Sequence, residues 1–434
     1  MGPEHSDRVR TQGFGVTPTR FFPQSKTEGG GSGNNFGQIA SLREEFKLFQ
    51  DNQTREFGLF RDEMRQFMQG FQMNHPPHGG LEMMVGKAAV LIGCNYPGTK
   101  AELKGCVNDV QRMRRCLIDH FGFTEANITI LIDTDDSYTL PTGVNIRRAI
   151  NRLVRSANPG DELFLHFSGH GARLPADPEE NDNTGYHECI VPCDMNLIID
   201  EDFRHFVNKL ADGCRLTIVA DSCNSGGLIE NAKEQIGEST ARRKDEAFAD
   251  VPAGVQLHTR AGNGDIHLTG RALPIPTLVE LLKGSTGKED IHEGNIRSTI
   301  IDAFGDSASP RLAKSHYRGI DVNGKEESTR AKKQSAFLAP TAPSGRSVLI
   351  SACQSDQNAA DAKPVVKPEG AYGALSNTIQ SILADQAKGE VLSNRKLVLM
   401  AREKLAKQGF TQRPGLYCTD EVAEEPFLTS DSVV

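Results

Sequence analysis

The stretch ELFLHFSGHG (162–171) decides the fold, since a nearly continuous apolar run ends in a histidine between two glycines. Such runs suit strands buried on both faces of a parallel sheet. Comparable runs occur at KAAVLIGC (87–94), ITILID (128–133), CRLTIVAD (214–221) and RSVLISAC (346–353). Because segments of helical periodicity alternate with them, the sequence predicts an α/β fold whose central, mostly parallel β-sheet is flanked by helices.

The 434-residue chain begins with segments of different composition. Residues 1–35 are rich in Gly, Ser, Thr, Pro and Asn, which predicts disorder. Residues 36–85 form an N-terminal extension in which apolar spacing predicts a helix over 41–71. An isolated helix of this kind must dock on the core or on a partner to bury its apolar stripe.

The α/β pattern itself is interrupted once. Residues 86–230 carry it, residues 231–344 break it, and residues 345–434 restore it. The middle segment is too long for an ordinary loop, so we expect a functional or mobile insertion with one clear helix over 275–282.

Composition excludes several classes of protein. A net charge of −8 argues against a nucleic-acid partner, which usually meets a basic face. The nine cysteines include no zinc-type CxxC pair, and most lie in apolar runs, which favours free thiols in a reducing compartment. Neither a signal peptide nor a membrane-spanning apolar run is found. We therefore expect a cytoplasmic or nuclear protein without a membrane partner.

Two predicted strands lead to reactive side chains at the same edge of the sheet. His170 follows one strand, and Cys223 follows another within RLTIVADSCNSGG (215–227). An imidazole can take and return the proton that thiolate attack and amine departure require. A lone His or Cys at a strand end is usually structural, but this order and spacing are typical of caspase-like peptidases. Cys353 is the alternative nucleophile, although no His–Gly motif accompanies it.

The motifs HFSGHG (166–171) and DSCNSGG (221–227) resemble the His and Cys boxes of the metacaspases, within the caspase-like clan. The similarity extends over residues 86–420, and the long linker resembles the type II group of plants and green algae. Asn224 departs from the family, which usually has His after the catalytic Cys, and the N-terminal extension is a second departure.

The resemblance implies a caspase-like fold and a cysteine endopeptidase with a His170–Cys223 dyad. Its p20-like part would be 86–230, its linker 231–344 and its p10-like part 345–434. It also implies a monomer, and any connection with programmed cell death rests on this likeness alone.

The same resemblance implies specificity for Arg or Lys at P1. Four positions match the family's S1 pocket: Cys106, Asp109, Ser168 and Asp221. Carboxylates suit such a pocket because an unpaired buried cation is costly. Each Asp taken alone is more often a helix cap or turn residue, but together they favour protein and peptide substrates with a basic P1 residue.

The linker contains the predicted site of self-cleavage. TGRALP (269–274) presents Arg271 in a polar stretch, and the family cuts itself at a basic residue there. Arg260 and the basic cluster at 242–244 are secondary candidates. Our hypothesis is a zymogen whose uncut linker covers the cleft with Arg271 in or near S1.

Calcium is the predicted cofactor, and no organic cofactor is expected. Asp200, Glu201 and Glu230 match a calcium site of the family, while His187 stands where that site usually has Asp. Since imidazole is a poor calcium ligand, we expect weakened affinity or lost dependence.

Two other functions remain open at this point. The chain could be an inactive scaffold that binds calcium, with the 41–71 helix as its contact to partners. It could also be a peptide ligase or transpeptidase, which uses the same thioester intermediate.

Overall fold

The computed structural model describes most of the chain after the N-terminal extension. The described residues are 86–175, 186–223, 225, 228, 232–237, 256–261, 264–312, 346–354, 357–386 and 390–429. The predicted 41–71 helix and the predicted disorder of 1–35 therefore lie outside the described residues.

Fourteen strands occur within the described residues. They are β1 Lys87–Gly93, β2 Ile128–Ile132, β3 Glu162–Ser168, β4 Gly171–Pro175, β5 Tyr186–Ile190, β6 Ile198–Ile199, β7 Arg215–Asp221, β8 Glu234–Ile236, β9 Gln256–Ala261, β10 Gly264–Gly270, β11 Ser347–Ser351, β12 Ala360–Pro364, β13 Tyr372–Gly373 and β14 Gly415–Tyr417.

The α-helices of the same residues number eight. They are α1 Cys106–Phe121, α2 Gly143–Arg155, α3 Asp200–Val207, α4 Ile275–Thr286, α5 Ile296–Phe304, α6 Ala374–Asp385, α7 Asn394–Lys407 and α8 Asp420–Glu424. Local signals define several ends: Thr142 accepts a hydrogen bond from Asn145 N at the start of α2, and Gly122 ends α1 in the left-handed conformation.

The central sheet has seven strands in the order β2-β1-β3-β7-β11-β14-β8. The first five are parallel, and β14 and β8 add antiparallel pairs at one edge. This confirms the predicted mixed α/β fold with a mostly parallel sheet, and the five apolar runs are its five parallel strands.

The sheet is covered on both faces because alternate strand residues point to opposite sides. Val90 and Ile92 of β1 pack in one apolar cluster with α2, α3, α4 and α5, whereas Ala89 and Leu91 pack in a second with α1, α6 and α7. All seven residues of β3 are buried, as its continuous apolar run predicts.

The described part of the linker is more ordered than the sequence indicates. It contains the hairpin β9–β10 and the helices α4 and α5, so the expectation of one helix was wrong. β10 pairs antiparallel with β12, which lies about 90 residues later, as in Gly270 opposite Ala360. Local periodicity cannot reveal so distant a pairing.

Candidate active site

Strands β3 and β7 bring His170 and Cys223 to one edge of the sheet. The strands are parallel neighbours with Ser168 opposite Asp221, and each reactive residue follows two positions later. Both are 1 % exposed. Their loops touch at Gly171, where an added Cβ would lie 1.7 Å from the backbone oxygen of Cys223, so this contact requires glycine.

His170 is held by its backbone and by one ring nitrogen. Nε2 lies 2.8 Å from the oxygen of Ala101, which can only accept, so Nε2 carries the ring proton. The backbone N–H donates to the Tyr96 hydroxyl at 2.9 Å, and that hydroxyl donates to Val191 O. Nδ1 has no hydrogen-bond partner among the described residues. The imidazole therefore presents a free lone pair.

Burial lowers the pKa of His170 to about 4, since a charged imidazolium would lose its hydration. The backbone groups of Ala101 and Arg271 act to raise this pKa, and the positive charge of Arg271 acts to lower it further. The ring is neutral near pH 7 and can act as a base.

Cys223 Sγ contacts the turn that precedes β12. It accepts a hydrogen bond from Ala359 N at 2.9 Å and lies 3.7 Å from Asn358 Oδ1. Asn224, Gly226 and Gly227, which follow Cys223, lie outside the described residues.

Arg271 is the largest fully buried side chain of the described residues, with an exposed fraction of 0 %. Its guanidinium lies in a pocket beside Cys223 and donates to the Ser168 hydroxyl at 2.9 Å and to the backbone oxygen of Asp221 at 2.7 Å. Three carboxylates surround it: Asp109 at 3.1 Å, Asp221 at 3.2 Å and Asp361 at 3.0 Å. We call the three carboxylates, together with Ser168, the acidic pocket.

Backbone amides fix each carboxylate of the acidic pocket. Asp109 accepts from Gly373 N, Asp221 from Ser376 N, and Asp361 from the amides of residues 104 and 105. The Ser168 hydroxyl donates to Asp109 at 2.8 Å. The pocket is preorganised because its acceptors are held by elements from both halves of the chain.

Three carboxylates around one guanidinium leave an excess of negative charge. Burial raises the pKa of Asp109 to about 7, although Arg271 and the amide of Gly373 act to lower it. Cys106 lies beside the pocket, where burial raises its pKa well above the usual range and Arg271 and Ser168 act to lower it.

The backbone of Arg271 is extended and is hydrogen bonded to Ala359 on one side and to Gly171 on the other. Its N–H donates to Ala359 O at 2.9 Å, and its carbonyl oxygen accepts from Gly171 N at 2.9 Å. Leu273 N donates to Gly171 O at 2.8 Å. The segment therefore lies across the His170 and Cys223 loops as an additional strand, with its carbonyl held by a backbone donor.

The four predicted pocket residues and Arg271 thus lie together, and His170 and Cys223 lie beside them. Sequence reasoning missed Asp361, whose carboxylate lies as close to Arg271 as those of Asp109 and Asp221. Its stretch, SACQSDQNAAD (351–361), belongs to the region of resemblance but carries no local signal for a pocket. The roles of Ala101 O and Gly171 N were also missed, since backbone groups leave no residue-type signature.

Cys353 also lies close to Cys223. Its thiol donates to Gln357 O at 3.2 Å, and interaction with Cys223 followed by burial raises its pKa well above the usual range. The alternative nucleophile is therefore a neighbour of the first one.

The predicted calcium ligands do not form a metal site within the described residues. His187 Nδ1 lies 3.0 Å from Asp200 Oδ1, and Arg311 lies 3.6 Å from Glu201. No group of three metal-ligating side chains occurs in the described ranges, and Glu230 lies outside them. Since one of the four predicted ligands lies outside the described residues, calcium stays a prediction.

A further prediction concerns membranes. Among the helices that the structure describes, none is both long and apolar enough to cross a membrane.

The secondary candidates for self-cleavage lie elsewhere in the linker. Arg260 lies in β9, and the basic cluster at 242–244 lies outside the described residues.

Comparison with known proteins adds an independent observation. Residues 87–232 match the family model described as metacaspase, peptidase C14 domain. Metacaspase-4 of Arabidopsis thaliana is 45 % identical, with 79 % of this chain and 99 % of that protein covered. Metacaspase-6 and metacaspase-7 of the same plant are 46 % and 42 % identical with the same coverage.

Proposed function

Because the chain belongs to the metacaspase family of cysteine peptidases, we propose that it is an endopeptidase that cleaves after Arg or Lys and activates itself by cutting after Arg271. One observation carries this proposal: the Arg271 side chain fills a buried acidic pocket while its carbonyl lies at the His170 and Cys223 loops.

Charge and geometry support the basic P1 residue. A guanidinium that loses water needs carboxylates and hydrogen-bond acceptors in fixed positions, and the acidic pocket supplies three carboxylates, a hydroxyl and a carbonyl. An acidic P1 residue, as true caspases prefer, would meet like charges there. A neutral P1 residue would leave the carboxylates without a counter-charge.

The residues of the dyad have the roles that acyl transfer requires. Nδ1 of His170 takes the thiol proton of Cys223, and Sγ attacks the P1 carbonyl carbon. The N–H of Gly171 donates to the oxygen that gains negative charge. His170 then gives its proton to the leaving amine, which leaves a thioester on Cys223. Water, deprotonated by His170, hydrolyses that thioester.

The Ala101 carbonyl is assigned the role of orienting the base. It holds the proton on Nε2, so that Nδ1 keeps its lone pair before attack. Once Nδ1 gains a proton, the same carbonyl stabilises the imidazolium.

The uncut linker acts as an internal substrate and as an inhibitor. β10 pairs with β12 up to Gly270, so the residues before Arg271 enter the site as a strand. While Arg271 fills the acidic pocket, no other basic side chain can enter. Cleavage after Arg271 frees the new chain end to leave, which opens the pocket.

Expression of the full-length chain tests the proposal. The wild type should release an Arg-terminated fluorogenic peptide and yield a fragment that begins at Ala272, as read by mass spectrometry. Cys223→Ala should abolish both, and Arg271→Ala should abolish the cut at that position. Identical fragments from Arg271→Ala, or activity in Cys223→Ala, would contradict the proposal.

Substrate preference provides the second readout. Peptides with Arg, Lys, Asp and Leu at P1 should separate by kcat/KM, with the two basic residues first. A Cys353→Ala variant is the control for the nucleophile, since it should keep the ability to cleave.

A further inference from the structure

Two neighbouring parallel strands, β7 and β11, each lead to a buried cysteine. Ala220 lies opposite Ser351, and Ala352 N donates to Ala220 O at 3.0 Å. Cys223 and Cys353 follow within three residues. Neighbouring strands are about 4.8 Å apart, which lies within the Cα separations of disulfide-bonded cysteines, about 4.4–6.8 Å.

A short turn holds both thiols. Cys353 Sγ donates to Gln357 O at 3.2 Å, and Cys223 Sγ accepts from Ala359 N at 2.9 Å. Interaction with Cys223 is the first cause that raises the pKa of Cys353 well above the usual range, which agrees with neighbouring side chains. Both side chains are 1 % exposed and pack in the same apolar cluster. The proposed peptidase mechanism uses Cys223 alone, so it leaves Cys353 without a role.

We propose that Cys353 is a resolving cysteine that forms a reversible disulfide with Cys223 when hydrogen peroxide oxidises the nucleophile. The Cys223 thiolate attacks one peroxide oxygen, so that an S–O bond forms and the O–O bond breaks. Hydroxide leaves and takes up the thiol proton as water. Cys353 then attacks the sulfur of the sulfenic acid, an S–S bond forms, and the S–O bond breaks with loss of a second water.

The two thiols together supply the two electrons that reduce the peroxide. The disulfide blocks the nucleophile but keeps it recoverable, because a dithiol reductant restores both thiols. Without Cys353, the sulfenic acid would remain open to further oxidation to sulfinic acid, which simple reductants do not reverse. Cys353 would therefore convert an irreversible loss of the nucleophile into a switch.

The linker should control the rate of this reaction. In the uncut chain the segment around Arg271 lies over the site, since its N–H is bonded to Ala359 O beside Cys223. We expect faster oxidation after cleavage at Arg271, and this dependence on cleavage rests on the proposed function. The disulfide itself does not, because it requires only the two thiols.

Peptide mapping of the full-length protein after dilute hydrogen peroxide tests the inference. The processed wild type should lose two hydrogen atoms per chain and yield a peptide that links Cys223 to Cys353. Dithiothreitol should remove the link and restore most of the peptidase activity, relative to the untreated sample. The Cys353→Ser variant should instead gain two oxygens on Cys223 and recover almost no activity.

Cys418→Ser is the matched control, because Cys418 is buried in the same apolar cluster and should leave the link intact. If Cys353→Ser does not fold, the Cys353→Ala variant and the wild-type peptide map still decide whether Cys353 forms the link. A linked peptide from an inactive protein would overturn the peptidase proposal and keep this inference. An active protein with no such link, or with links among other cysteines, would overturn the inference alone.

Discussion

Two acidic clusters of this chain have similar residue types and differ in how deeply they are buried. In the acidic pocket, Asp109, Asp221 and Asp361 are at most 2 % exposed and share one buried guanidinium. The second cluster, near the start of α3, contains Asp200 and Glu201, which are 21 % and 25 % exposed. His187 and Arg311 contact these two carboxylates.

The difference shows that burial, and not acidity, decides what a carboxylate cluster does. In the pocket, water is excluded, so a carboxylate without a cation is costly and a guanidinium is strongly preferred. At the start of α3 the two carboxylates are partly exposed, so water weakens each pair more than in the pocket. We refer to this second set, with His187 and Arg311, as the surface cluster.

The largest expected contrast concerns the cation of each cluster. In a Cys223→Ala background, which prevents processing, Arg271→Ala should lower the free energy of unfolding by about 3 kcal/mol, because it leaves three buried carboxylates unpaired. Arg311→Ala should lower it by less than about 1 kcal/mol. Urea unfolding measures both. Equal losses would mean that the acidic pocket is solvated, and Arg271→Lys should retain part of the stability.

The second contrast concerns catalysis. Asp361→Asn removes one charge-assisted hydrogen bond from the P1 side chain and should lower kcat/KM for an Arg substrate by about 30-fold. Glu201→Gln, at the surface cluster, should change it by less than about threefold when calcium is absent. Steady-state kinetics on processed protein measures both, and similar losses in the two variants would remove the special role of Asp361.

The third test is the pH dependence of the acidic pocket. The pKa of Asp109 is raised to about 7 in the folded chain, so between its usual value and 7 it holds a proton that the unfolded chain lacks. Its contribution to stability is full below the usual value and is lost as the pH rises through 7. From about pH 6 to 7 the free energy of unfolding of Cys223→Ala should fall by about 1 kcal/mol relative to that of the double variant Cys223→Ala/Asp109→Asn, as urea unfolding measures.

The titration of His170 changes the stability with pH in the opposite direction. Comparing the two variants cancels this effect. Because its pKa is lowered to about 4, its neutral form contributes stability that is lost as the pH falls below the usual value. Both proteins keep this histidine. A difference curve that is flat from pH 6 to 7 would contradict the raised pKa of Asp109.

The smallest effect is expected for calcium. Since His187 contacts Asp200 and Arg311 contacts Glu201, calcium should change the rate of self-cleavage by less than about twofold. His187→Asp should increase the response by adding a carboxylate. Gel analysis of self-cleavage in calcium and in a chelator measures it, and a strong response in the wild type would show that the surface cluster rearranges around the ion.

Much of the fold followed from local pattern. The five apolar runs became the five parallel strands, because a strand buried on both faces must be apolar throughout, as in β3. The pairing of β10 with β12 escaped prediction, since about 90 residues separate the paired positions. Pairing of this kind depends on hydrogen bonds between distant backbones, which no single segment encodes.

The site was predictable to a similar degree. His170 and Cys223 were recognisable by type, order and glycine flanks, and Asp109, Asp221 and Arg271 by resemblance to the metacaspases. Asp361 was not, because an acidic residue in NAAD has no local feature that separates it from a solvated one. The proximity of Cys353 to Cys223 was equally hidden, since it arises because β7 and β11 are neighbouring strands.

The sequence by itself determined which segments are strands, which residues carry a thiol, an imidazole or a charge, and to which family the chain belongs. These are properties of residue type and short-range order. Only the tertiary structure decided which carboxylates surround a guanidinium without water and which cysteines follow neighbouring strands. Burial and contact are set by residues far apart in the chain, and the strength of a charge or the reactivity of a thiol depends on both.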